Sequence, residues 1–187
     1  MGGNVKRGSN ANKAVYIILA LLFAAVAILS LFNRGDRALQ RALEENREFQ
    51  IRVNGEYAAV VSLRTLLDLD PQEFSTSLAT SIAAPRETAL QGVEMRFLLE
   101  SLEIDISEAS YITVTGLDGY YSVLTRDEVE SKETIYVCFS MDGEILNTRS
   151  EGGYGPFMMV IRGSRFAQRW CKYLEAVDII TTQSGDQ

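Results

Sequence analysis

The sequence predicts an α+β domain with a mixed, mostly antiparallel sheet and short helices, preceded by one transmembrane helix. Short apolar runs of strand length recur between turn signals such as Asn54-Gly55, Asp118-Gly119 and Asp142-Gly143. Two or three short segments with helical periodicity or capping chemistry lie between those runs. Ahead of them, residues 14–32 carry no charge at all. At about 1.5 Å of rise per residue, that run is long enough for a hydrocarbon core of roughly 30 Å.

The 187 residues suit one folded domain with an appendage, and 47% hydrophobic with 23% charged residues supports a real core. The net charge of −7 argues against nucleic acid as a partner, because no basic excess exists to displace phosphate counterions. The chain has no histidine, so a Ser-His-Asp triad cannot be built from it, and the commonest transition-metal ligand is missing.

Residues 1–13 read as a basic cytoplasmic tail, with Lys6, Arg7 and Lys13. Residues 14–32, from Ala14 to Phe32, read as an uncleaved signal anchor. The run is long for a signal-peptide core, and its small-x-small pair, Ala25-Val26-Ala27, lies inside it. Arg34 and Arg37 nearly balance the charge before it, and the expected topology puts the C-terminal domain outside the cytoplasm. Residues 33–48 are expected to form a juxtamembrane stalk helix with Asp36 as N-cap.

The domain itself is expected over residues 49–181. Residues 49–53 and 57–61 read as a hairpin around Asn54-Gly55, and Ser62 caps a helix over 63–67. Pro71 opens an extended stretch, and 81–90 reads as an exposed loop. Gly92-Val93 leads into a helix over 94–102 with Phe97, Leu98 and Leu102 on one face. Strands follow at 111–115 and 120–124. Thr125 and Glu128 fit a capping box. Strands at 134–140, 156–161 and 173–180 complete the set, and 182–187 is a disordered tail.

Chemistry concentrates late in the chain. Gly152, Gly153, Tyr154 and Gly155 form a glycine-rich loop ahead of an apolar strand, where backbone N–H groups can line an anion nest. Arg162, Arg165, Arg169 and Lys172 then crowd together, and arginine's planar fork suits phosphate or carboxylate. Asp118 and Tyr120 belong to a turn whose aromatics can line a pocket. The bland alternatives are a tight turn, an arginine face paired with local acids, and a plain hairpin. Cys138 and Cys171 either pair or stay as buried thiols. Basic neighbours would make Cys171 reactive, whereas strand alternation makes it an inert core thiol.

Several segments, in order, resemble the oxidoreductase molybdopterin-binding domain, the fold of the sulfite oxidase family. They are Gly92-Val93-Glu94-Met95-Arg96-Phe97-Leu98-Leu99, Asp118-Gly119-Tyr120, Met141-Asp142-Gly143-Glu144-Ile145-Leu146, Gly155-Pro156 and Arg169-Trp170-Cys171-Lys172. The resemblance implies a pterin-phosphate site and, in family enzymes, a molybdenum-ligating cysteine upstream of the first of these segments. Residues 62–91 contain no cysteine, and Met158 stands where the family pattern has an arginine.

The expected function is therefore a membrane-anchored extracytoplasmic module without molybdenum redox catalysis, binding an anionic small ligand or an envelope protein. No bound cofactor is expected, and molybdopterin is the one the resemblance allows. Two other readings stand beside it: a molybdopterin-dependent oxidoreductase with atypical metal ligation, and a structural component of an envelope complex. The candidate binding residues are Asp118, Tyr120, Gly153, Tyr154, Gly155, Arg162, Arg165, Arg169 and Lys172.

Overall fold

The computed structural model describes residues 8–78, 86–164 and 167–181. Residues 1–7 of the expected basic tail, the expected tail at 182–187, and Arg165 lie outside those residues. The chain falls into two compact units, Met1–Arg41 and Ala42–Gln187.

The first helix, α1 (Gly8–Asn46), is continuous. This corrects the expected N-cap: Asp36 does not start a helix, because the backbone is already helical through it. Over the described residues no helix is long and apolar enough to cross a membrane. Within the expected span, the side chains of residues 14, 27 and 29–32 are outside the described set. Val15, Ile17, Leu21 and Phe23 are described and exposed. The helix ends where Arg47 takes a left-handed φ of 54°, turning the chain into the first strand.

The hairpin forms as its turn chemistry dictates. Strands β1 (Glu48–Val53) and β2 (Glu56–Ser62) flank Asn54 and Gly55, both at positive φ. Ser62 then caps α2 (Leu63–Leu67), its hydroxyl accepting from Thr65 N. Next come β3 (Gln72–Leu78) and β4 (Arg86–Glu94). The expected loop over 81–90 is thus a strand from Arg86 onward, antiparallel to β3 and then to β7 (Ile135–Met141). Gly92-Val93 lies inside β4, and α3 (Met95–Ser101) begins only after it. Phe97 faces solvent at 44% exposure, with the Arg96 guanidinium 4.1 Å from its ring centre; Met95, Leu98 and Leu99 form the buried face instead.

Then follow β5 (Ala109–Gly116), β6 (Tyr121–Leu124) and α4 (Arg126–Glu130), the last started by the Thr125/Glu128 capping box. After β7, Asp142 and Gly143 turn the chain into β8 (Glu144–Ile145). The described residues close with β9 (Met158–Ile161), a 3-10 turn (Ala167–Arg169) and β10 (Leu174–Thr181).

Two five-stranded sheets result. One has the order β2-β1-β10-β5-β6; the other is β3-β4-β7-β8, with β9 also paired to β7. Only β1 and β10 form a parallel ladder among the described strands, so the sheets are mixed and mostly antiparallel, as expected. Both sheets contribute to one apolar core, in which the Phe49 ring of β1 meets the Phe157 ring just ahead of β9 edge-on, with centres 5.2 Å apart. Fully burying one such side chain is worth about 1.5–3 kcal/mol.

Gly92 has a specific reason to be glycine. A Cβ there would lie 2.4 Å from the carbonyl oxygen of Val137 and 2.7 Å from Cys138 Cα, both backbone atoms of β7. Gly92→Ala should therefore force β4 from β7 and cost about 1–3 kcal/mol. A lowered urea midpoint at unchanged m-value is the expected result.

Candidate ligand-binding site

Arg169 belongs to the 3-10 turn and reaches across to β6 and α4. Its guanidinium takes both carboxylate oxygens of Glu128, at 2.6 and 3.0 Å, and donates to the carbonyl of Val123 at 2.8 Å. This bidentate pair is the short, charge-assisted kind. The Arg169 hydrogen bonds, aided by the Thr125 backbone N–H, pull the Glu128 carboxyl down to about 2 from 4.5. Beside it, the Tyr120 hydroxyl donates to the carbonyl of Gln168. Asp118 accepts from Tyr120 N at 3.1 Å. Burial, and the nearby Cys171, raise the Tyr120 phenol above its usual value. Asp118, Tyr120 and Arg169 thus gather at one corner of the first sheet.

Arg162 is held elsewhere. It donates to Glu133 at 2.9 Å and lies over the Phe74 ring, 5.4 Å from its centre. Arg162 and Arg169 therefore have separate carboxylate partners, and both are already paired.

Gly153, Tyr154, Gly155 and Lys172 form a second group. A Cβ on Gly153 would lie 2.2 Å from the Asn147 carbonyl oxygen, so the loop closes tightly on itself. The Lys172 ammonium sits 3.9 Å from the Tyr154 ring centre, a cation–π contact. The N–H groups of Gly153 and Gly155 donate to the Thr148 and Asn147 carbonyls. The peptide bond Gly155-Pro156 is cis. Next to this loop is a shallow cleft of about 230 Å³, lined among others by Asp142, Glu144, Leu146, Asn147, Gly153 and Tyr154.

Sequence reasoning missed Glu128 and Glu133, which take up the two arginines, and Asn147 and Leu146, which shape the cleft. Glu128 carried a signal, its capping box with Thr125, but only one of its two tasks was legible there. The two cysteines are free and fully buried. Cys138 faces Met158 in the β7–β9 ladder, while Cys171 bridges Met159 from the far side of β9. Burial pushes the Cys138 thiol far above its usual range. Cys171 is pushed up to about 12, first by burial and then by Asp118 and Glu175.

The family model described as the oxidoreductase molybdopterin binding domain matches residues 40–187. The chain belongs to that family. Its fold, sulfite oxidase-like, is similar to the crystal structure of the sulfane dehydrogenase SoxCD from Paracoccus pantotrophus, with a TM-score of 0.57 and 16% identity. The likeness covers 74% of this chain but only 39% of that one, so this chain corresponds to well under half of its structural neighbour. No curated protein matches the chain in sequence.

Molybdopterin with its metal is the group this family implies, and the chain's donors can be tested against it. A molybdenum centre of this kind takes a thiolate, but both thiols are enclosed in the core and held protonated by burial. Among the described residues no group of three or more His, Cys, Asp or Glu side chains could hold a metal ion. The segment before α3 has no cysteine at all. The described residues do not offer the metal an accessible thiolate.

Two outcomes are expected. Native protein at pH 8 should leave both thiols unreacted with a chromogenic disulfide reagent, and unfolding in denaturant should release two. Glu128 is lowered in the folded state, so its contribution is complete above 4.5 and lost as pH falls toward about 2. The pair is partly exposed and screened, which limits this to about 1 kcal/mol. Glu128→Gln keeps the capping geometry and should flatten the stability profile in that window, measured as urea midpoints from pH 6 to pH 2.

Proposed function

We propose that this family member is a membrane-anchored, extracytoplasmic module that binds an anionic ligand or an envelope partner and does not carry out molybdenum redox chemistry. The observation behind it is the state of Cys138 and Cys171: both are buried in the sheet interior, and burial holds both as neutral thiols. A metal-ligating thiolate has to be ionised and reachable. The exposed apolar residues Val15, Ile17, Leu21, Phe23 and Ile28 on α1 support the anchor, since lipid would cover them. On this reading the loop at 147–155, its cleft and Lys172 are the surface that meets the ligand or partner.

The competing reading is a molybdopterin-dependent oxidoreductase whose metal ligand comes from somewhere other than a cysteine of this chain. The family match over residues 40–187 favours it. Elemental analysis for molybdenum and tungsten, with pterin fluorescence, on protein purified from its own host separates the two. The expected result is no stoichiometric metal and no pterin. One metal per chain with pterin would sink the proposal and establish the oxidoreductase.

A further inference from the structure

The last turn of α1 belongs to the folded unit Ala42–Gln187, where it does a specific job. Leu43 is inserted in the domain at 3% exposure. One carboxylate oxygen of Glu44 accepts from Ser150 N at 3.0 Å and from the Ser150 hydroxyl at 3.2 Å. Arg47 donates to the carbonyl of Leu146 at 3.2 Å, and its other terminal nitrogen lies 3.9 Å from Glu151. That same Glu151 oxygen accepts from Thr148 N and the Thr148 hydroxyl, each at 2.9 Å. Glu44 and Arg47 therefore grip the segment 146–151 at both ends, and Glu151 ties its middle.

The gripped segment is also one wall of the cleft, which Leu146 and Asn147 line together with Gly153 and Tyr154. Outside this grip the loop is tied to the domain at Arg149, which donates to the Leu117 carbonyl at 3.4 Å, and at Tyr154, whose carbonyl accepts from Tyr173 N at 3.0 Å and whose ring lies under Lys172. Its own backbone bonds are turn contacts such as Glu151 N to Thr148 O and Gly152 N to Arg149 O, and no strand ladder runs through 147–157. Loops of this kind open locally at far lower cost than the strands beside them.

We infer that Glu44 and Arg47 form a latch: the last turn of α1 holds the loop at 146–155 in the shape that makes the cleft, and release of the latch lets the loop open. The chain that leads into Ala42 is covalently continuous with the latch, so a pull or turn on it reaches the loop first at Ser150 and Leu146. By linkage, anything that binds the cleft only in its latched form tightens the latch by the same factor. That regulatory consequence rests on the reading of this face as the ligand surface; the latch does not.

Hydrogen exchange of the full-length protein in detergent, resolved by peptide, tests this without any ligand. In the double variant Glu44→Ala/Arg47→Ala, amides in 147–155 should exchange about tenfold faster or more, the effect of losing one charged hydrogen bond. Those of β7 and β10 should keep their wild-type rates. Glu44→Gln, which keeps the shape with a weaker acceptor, should fall between, and Glu45→Ala, one residue along the same turn, should change nothing. Loop rates within twofold of wild type in the double variant would overturn the latch. So would equal acceleration of loop and core strands in Glu44→Gln, which would mark the contacts as general stability only. Neither result bears on the metal analysis, so the two ideas fail separately.

Discussion

β10 lies at the centre of the first sheet, and the rest of the domain is arranged around that placement. β10 is parallel to β1 on one side and antiparallel to β5 on the other. The hairpin turn is tied to it: Asn54 N donates to the Ile179 carbonyl at 2.9 Å, and the Asn54 side chain exchanges hydrogen bonds with Thr181. The sheet thus cannot be completed until β10, far from β1 in sequence, has reached it. Pairings of such long sequence separation must pay loop-closure entropy before they give anything back, which makes this a slow topology to assemble. The same placement fixes Cys171 and Lys172 just ahead of β10, where Cys171 bridges Met159 and Lys172 meets Tyr154.

Charge follows from composition. In a chain with more acids than bases, an arginine meets a carboxylate more readily than it stays free. Arg169 became a clasp, with Glu128 on one side and the edge carbonyl of Val123 on the other. That contact covers part of the open edge of β6, which would otherwise present unpaired backbone groups. Arg162 found Glu133 and the Phe74 ring. The density of basic residues was legible in the sequence, but their partners were not, because Glu128 and Glu133 lie far from them along the chain.

The same division between local and distant explains what could be read of the fold. The hairpins at Asn54-Gly55 and Asp142-Gly143, and the caps at Ser62 and Thr125, depend on chemistry within four residues, and each formed where its residues demanded. β4 was missed because little local marks it: Glu87 and Gly92 are weak strand formers, and the strand exists through its ladders to β3 and β7. Phe97 misled by type, since a large apolar ring is assigned to the core unless a cation such as Arg96 covers it outside. Asp36 misled because capping chemistry only starts a helix where the preceding backbone is not already helical.

The donors beside the glycine-rich loop already hold anions of the chain's own. N–H and hydroxyl donors gather just ahead of it, at the buried Thr148 and the exposed Ser150. The anions they receive are the carboxylates of Glu151 and Glu44, supplied by the chain itself. These donors are satisfied before any ligand arrives, so an incoming phosphate or carboxylate must displace an internal carboxylate held at high effective concentration. It must also approach through the field of Asp142 and Glu144 along the cleft. What Glu44 contributes to order in the loop it therefore subtracts from affinity for any external anion, and the two cannot be tuned independently.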